Sequence, residues 1–333
     1  MRLLLIALIV GLAAPAMAVT WEVPDAEQGI TEIYQAMNLA SAGDTVLVRA
    51  GVYDSANYYV TPLGRRSAIV SMRDGVTLTG VDREDVRIDQ TEAEYGILCL
   101  DVGPDTVIDN LTVRGTVSLA RVPSDDGDGR ALVAGIACID GASPTITGVT
   151  IEGVSTGVVV RGADNPSAPT LESVEIARCD HHGIYVYDNG ATPVTVDHAT
   201  IVSNFDHGVY AYDGYVEVTN SNITHNGKNG VRSYLSTIGV SYCNLYWNDI
   251  DSLDPQNYYG LDDLTGVDGN VSMEPFYCDY TGDAGYDYQV CFASDLIGLG
   301  AGGSNIGAWG GGCTDCVSPI RRASWGAIKA LFR

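Results

Sequence analysis

Basic residues are scarce in this sequence: 18 Lys and Arg stand against 42 Asp and Glu, leaving a formal charge of −24. That balance excludes a nucleic-acid backbone as the natural ligand, because such binders carry basic faces that displace counterions. It also argues against unaided binding of an acidic polysaccharide, which would need bound cations or a local Arg/Lys cluster to offset the repulsion. Strong helix formers are under-used. Gly (39) and Tyr (19) accompany Thr, Val, Ser, Asp and Asn in a mixture that reads as many short strands joined by tight turns. Beyond the first 18 residues, no apolar run approaches the roughly 20 residues a bilayer span requires.

The start of the chain is different. Met1-Arg2, the apolar run from Leu3 to Ala14 and the small-residue exit Pro15-Ala16-Met17-Ala18 have the layout of a secretory signal peptide. Cleavage after Ala18 is expected, and with it a secreted or cell-envelope protein with no transmembrane segment in the mature chain. The remainder is long enough for one large elongated domain or two ordinary ones.

Self-similarity decides between them. The aliphatic positions Val113, Ile151, Ile176, Ile201, Ile223 and Leu245 recur with gaps of 38, 25, 25, 22 and 22. Gly96, Gly135, Gly157, Gly183, Gly208 and Gly230 keep the same rhythm. After each glycine the residues alternate, so that Ile184 and Val186 face one side of a strand and Tyr185 and Tyr187 the other. This period is too short for four-stranded propeller blades, and the leucine and asparagine framework of a leucine-rich repeat is absent. The pattern predicts an all-β fold, a parallel β-helix in which each coil buries its aliphatic residues against its neighbours.

The segment Ile30-Thr-Glu-Ile-Tyr-Gln-Ala-Met-Asn-Leu39, followed by Gly43-Asp-Thr-Val-Leu-Val-Arg-Ala-Gly-Val-Tyr53, resembles the capping helix and first coil of secreted bacterial right-handed β-helix repeat proteins with a pectin-lyase-like fold. The likeness covers most of residues 20–312. With the leader read above, the chain is expected to divide into a signal peptide over 1–18, a cap over 19–45, a solenoid over 46–250, final coils and a closing segment over 251–316, and a tail over 317–333. The likeness implies little about activity, since that family holds lyases, hydrolases, epimerases and members without known chemistry. The paired arginines resembling pectate lyases and the Asp-Asp plus Gly-His-Gly set resembling polygalacturonases are both missing.

Files of equivalent residues carry the candidate chemistry. Asn204, Asn226 and Asn248 should form a structural amide ladder. Cys99 and Cys138 share an inward column, as two core thiols or a disulfide. On the outward side, Tyr185 and Tyr210 form one column and Tyr187, Tyr212 and Tyr234 another, about 4.8 Å apart from coil to coil. With Arg232 they are candidates for contacting a sugar chain, although stacked tyrosines also stabilise a sheet by themselves. Asp180, His181, His182, Asp206, His207 and Lys228 gather at the adjoining corner. There His182 or His207 would serve as general base, with Lys228 or Ca²⁺ stabilising a uronate carboxylate, unless the corner is only a polar turn stack.

Between Val113 and Gly135 about 15 extra residues leave the solenoid at that corner. They include Asp125, Asp126 and Asp128, which suit Ca²⁺ although the terminal Glu of an EF-hand is lacking. Near the C-terminus, Cys278, Cys291, Cys313 and Cys316 should form two disulfides, with Cys278–Cys291 and Cys313–Cys316 the first assignment. The sequence thus predicts an exported, monomeric β-helix protein that binds or processes a polysaccharide or cell-surface glycan. As an enzyme it would be a polysaccharide lyase, uronate C5-epimerase or glycoside hydrolase; the alternative is a non-catalytic surface structural protein or adhesin.

Overall fold

A computed structural model describes residues 17–115, 133–162, 164–249, 256–280 and 286–314. The acidic loop with Asp125, Asp126 and Asp128, most of the leader, Cys316 and the tail lie outside the described residues. Three long sheets wrap one another. Sheet A has nine strands, from Thr20–Val23 to Thr237–Ser241; sheet B has eight, from Gly51–Tyr53 to Asn244–Tyr246; sheet C has nine, from Asn57–Thr61 to Tyr258–Tyr259. Pairing is parallel throughout these sheets except where Asn57–Thr61 folds back on Gly64–Ser71 as a hairpin. The chain is therefore a parallel β-helix.

The register is the one the repeat requires. Val113 pairs with Ile151, and the file continues through Ile176, Ile201, Ile223 and Leu245, all wholly buried in a single core. The recurring glycines sit where the chain bends into sheet C. A Cβ on Gly183 would lie 2.5 Å from Ile201 Cγ2 and 2.6 Å from the Gly208 carbonyl oxygen, so the bend admits no side chain. Beside this bend, Asn204 Nδ2 donates to Asn226 Oδ1 at 2.9 Å and Asn226 Nδ2 to Asn248 Oδ1 at 2.8 Å. The Asn226 and Asn248 side-chain carbonyls also accept the backbone N–H of the preceding asparagine, and Asn204 Oδ1 accepts that of Cys179. Asn257 Oδ1 adds a further rung, which the irregular final coil hides from the repeat.

The cap forms as a shorter helix than its sequence pattern, Ile33–Leu39, closed at its start by a capping box between Glu32 and Gln35. Its Ile33, Ala36 and Met37 are buried against the first coils. Ile30 lies before the helix but joins the same core. Cys99 and Cys138 face each other across adjacent strands as free, buried thiols.

The C-terminal segment does more than close the last coil. After Leu261 and Leu264 pack on the core's end, the chain returns along the outer flank of sheet B as a strap. Tyr277, Tyr288, Val290, Leu296 and Ile306 bury Ala177 and Val202 beneath them. Asn222 Nδ2 donates to the Tyr277 hydroxyl at 2.9 Å, Arg178 to the Tyr288 hydroxyl at 3.2 Å, and Trp309 Nε1 to Glu175 at 2.9 Å. The disulfide assignment is corrected here: Cys278 is joined to Cys313, with Cα atoms 5.7 Å apart. In the hairpin Tyr277–Asp279/Asp287–Val290, Tyr277 pairs with Val290, which sets Cys278 and Cys291 on a diagonal rather than opposite each other. Diagonal neighbours lie about 7 to 8 Å apart, beyond disulfide reach, whereas Cys313 arrives alongside on a third segment.

Candidate binding face on sheet C

The outer face of sheet C changes character along the solenoid. Parallel register carries one file through Leu98, Ala137, Val159, Tyr185, Tyr210, Arg232 and Tyr259, and the next through Leu100, Ile139, Arg161, Tyr187, Tyr212 and Tyr234. The first half of the face is aliphatic and the second half aromatic and cationic.

The two expected tyrosine columns are present, with Tyr185 and Tyr210 rings 5.2 Å apart, Tyr187 and Tyr212 5.5 Å, and Tyr212 and Tyr234 5.2 Å. Their exposure is uneven, and one expectation needs correction. Tyr185 is only 4% exposed because it lies in a second hydrophobic cluster with Ala134, Ala137, Ile139 and Val159. Tyr187, Tyr210 and Tyr212 are half-buried, and Tyr234 is 49% exposed. The rings of the second file lean on one another, tilted by 40° between Tyr187 and Tyr212 and stacked within 19° between Tyr212 and Tyr234, and Tyr234 is the most exposed of the five.

Each file contains one arginine among its outward residues. The Arg161 guanidinium lies 5.3 Å from the centre of the Tyr187 ring, and Arg232 lies 5.0 Å from Tyr210 and 5.3 Å from Tyr259. Neither arginine has a carboxylate partner among the described residues. Beside Arg161 a cleft of about 180 Å³ is lined by Pro62, Leu63, Ile139, Asp140, Gly162 and Asp164. Arg161 and Tyr259 were not singled out from the sequence. Arg161 stands four residues after Gly157, as Tyr187 does after Gly183, so the glycine register would have found it. Tyr259 follows an irregular coil and had no such signal.

The histidine corner is assembled as the spacing requires, but inward of the tyrosines. His182 and His207 stack with centroids 5.4 Å apart, and both also contact Tyr210. They are 3% and 1% exposed. Burial pushes His182 down to about 3, and burial with the neighbouring His182 and Arg232 pushes His207 down to about 2. The Asn229 backbone N–H lies 3.2 Å from His207 Nδ1 and Arg232 NH1 lies 3.0 Å from its Nε2, so a protonated ring would set an N–H against both. Asp206 is half-buried, yet the His181 ring and the Lys228 ammonium, 2.5 Å from its Oδ1, hold its carboxyl well below the usual range. Asp180 is raised by burial. Neither imidazole meets a substrate proton unless Tyr210 or Arg232 moves aside. Among the described residues no group of three His, Cys, Asp or Glu converges to hold a metal ion.

A family profile described as a right-handed β-helix region matches residues 66–250. The chain belongs to this right-handed β-helix family. A search of curated proteins finds no match. Among solved structures, the pectate lyase Pel9A superposes with a TM-score of 0.53 at 13% identity, over 89% of this chain and 97% of that one. The A-module of the Azotobacter vinelandii mannuronan C-5 epimerase AlgE6 aligns at 16% identity and a TM-score of 0.38, over 71% and 76%. The PL6 alginate lyase AlyGC aligns at 12% and 0.39, over 69% and 39%. At these identities the likeness extends to the fold. No helix among the described residues is long and apolar enough to cross a membrane.

Proposed function

We propose that this chain is an exported β-helix protein that binds polysaccharide along the outer face of sheet C, with the sugar chain lying parallel to the solenoid axis. The observation that carries this reading is the file Arg161, Tyr187, Tyr212, Tyr234, whose 5.2 to 5.5 Å ring spacing sets one aromatic ring per coil. That repeat is close to the length of a hexose unit. Sugar units would lie against these rings, and Arg161 and Arg232 would take hydroxyls or carboxylates. The arginines are the local cations that a chain of charge −24 needs if its ligand is acidic. The relation to a pectate lyase in fold, and the Cys278–Cys313 disulfide, agree with an exported polysaccharide-associated protein.

The double variant Tyr187→Ala plus Tyr212→Ala tests it on a glycan array followed by titration of the best ligand. Loss of two central aromatic contacts should weaken binding about thirtyfold. The melting curve should change little, because each cross-strand pair contributes roughly 0.2 to 1 kcal/mol. Unchanged affinity would move the binding surface elsewhere. The burial of Tyr185 favours the second reading, a structural surface protein whose ladder serves stacking alone; it expects no glycan signal from the unmodified chain.

A further inference from the structure

The tyrosine file on sheet C is closed at one end. Running from Tyr234 through Tyr212 and Tyr187 to Arg161, its next member is Ile139, which points outward yet is buried. Leu98, Ala137 and Val159 beside it are buried as well, in the cluster on which Tyr59 and Leu63 pack. Both belong to the hairpin formed by Asn57–Thr61 and Gly64–Ser71, which therefore lies over the aliphatic half of the face. Its tip, Pro62-Leu63, meets the file at Arg161, and the cleft of about 180 Å³ opens at that junction. Pro62, Leu63 and Ile139 form its apolar side, and Asp140, Arg161 and Asp164 its polar side. The walls are held from behind. Thr61 Oγ1 accepts the Leu63 N–H at 3.1 Å and donates to the Gly64 carbonyl at 2.9 Å. Asp140 sits in a left-handed turn, φ 56°, with its N–H donated to the Arg161 carbonyl at 3.1 Å. The turn that carries Asp164 is tied down at Ser167, whose N–H donates to Asn189 Oδ1 and whose carbonyl accepts from Asn189 Nδ2, both at 2.8 Å. The polar side chains are uncommitted by contrast. Asp140 and Asp164 make no ion pair among the described residues, and the buried Nε of Arg161 has no hydrogen-bond partner among them.

We propose that this cleft is a subsite for the terminal unit of a neutral sugar chain, a specificity that rests on the sheet C reading above. A chain lying along the tyrosine file runs into the hairpin tip at Arg161, so only its last unit enters the cleft. The volume suits a single hexopyranose. Its C–H face lies on Leu63 and Ile139, its free hydroxyls donate to Asp140 and Asp164, and one of its oxygens accepts from Arg161 Nε. Carboxylates accept and cannot donate, so two of them against one guanidinium favour a unit rich in hydroxyls and disfavour a uronate at this position.

The test is calorimetric titration of the full chain with laminarin, mannan and galactan, each in a short and a long size fraction, and with polygalacturonate as the acidic comparison. One protein per sugar chain is expected in both neutral fractions, whereas a protein that binds chain interiors is taken up in proportion to length. Leu63→Trp, which fills the cleft from the hairpin tip, and Asp140→Asn, chosen because asparagine suits the left-handed backbone, should each weaken binding of the short neutral fraction about tenfold. Bound protein that rises with chain length, unchanged affinity in both variants, or tighter end binding of polygalacturonate overturns the inference and leaves polysaccharide binding on sheet C standing. No binding of any neutral probe also overturns it, and the glycan array then decides the sheet C reading separately. If Leu63→Trp fails to fold, Asp140→Asn and the stoichiometry of the unaltered chain decide.

Discussion

Lowering the pH from 7.5 to 5 is expected to remove about 4 kcal/mol of folding stability through His182 and His207 alone. Their folded values, about 3 and about 2, lie far below the 6.5 of a free imidazole. Below pH 6.5 the unfolded chain therefore binds protons that the folded chain refuses. Stability is fully present above pH 6.5 and falls as pH drops toward the folded values, at about 1.4 kcal/mol per unit per ring, or about 2 kcal/mol each by pH 5. His225, pushed to about 4 by burial under the strap, adds to the same trend. Glu175 opposes it. Burial beside Trp309 raises its carboxyl to about 7, so its contribution is present below about 4.5 and is lost as pH rises through 7. Urea titrations at the two pH values measure the difference. A double variant His182→Asn plus His207→Asn should flatten the slope. A midpoint that does not move with pH would mean that the two rings are hydrated and able to protonate in the folded chain.

Asn226→Ala is expected to cost about 3 to 5 kcal/mol, more than removal of any single tyrosine from the outer face. Its amide donates to the Ile201 carbonyl and to Asn248, while its oxygen receives the Asn204 backbone and side chain. Truncation strands several of these groups where no water reaches, and each buried unsatisfied group costs about 1 to 3 kcal/mol. Equilibrium denaturation would report the loss as a lower midpoint. A shift below about 1 kcal/mol would show that the ladder relaxes around the gap.

These two sites were legible to different degrees. The amide ladder could be read from three asparagines at equal offsets, because a repeat that stacks must place equal offsets over one another. The same logic set His182 over His207 and Tyr187 beneath Tyr212. It could not say how deep either file lies. The glycine bend turns His182 and Tyr185 to the same side of the sheet, and Arg232 folds back over His207. An offset within a coil carries no information about such covering.

His198 shows the opposite case. Asp197-His198 is an ordinary dipeptide in sequence, and its hydrogen-bonded setting comes from Thr219 and Asn220 one coil later. The strap was equally opaque. Tyr277, Tyr288 and Trp309 belong to no repeat, and their partners Asn222, Arg178 and Glu175 are 55, 110 and 134 residues distant.

The sequence by itself determined the solenoid, its core files, its amide ladder and which residues share a column, because stacking at one strand spacing converts period directly into neighbourhood. Tertiary structure alone decided which of those columns meet solvent, which cysteines join and where the strap lies. Burial and covalent pairing depend on contacts between segments that share no period.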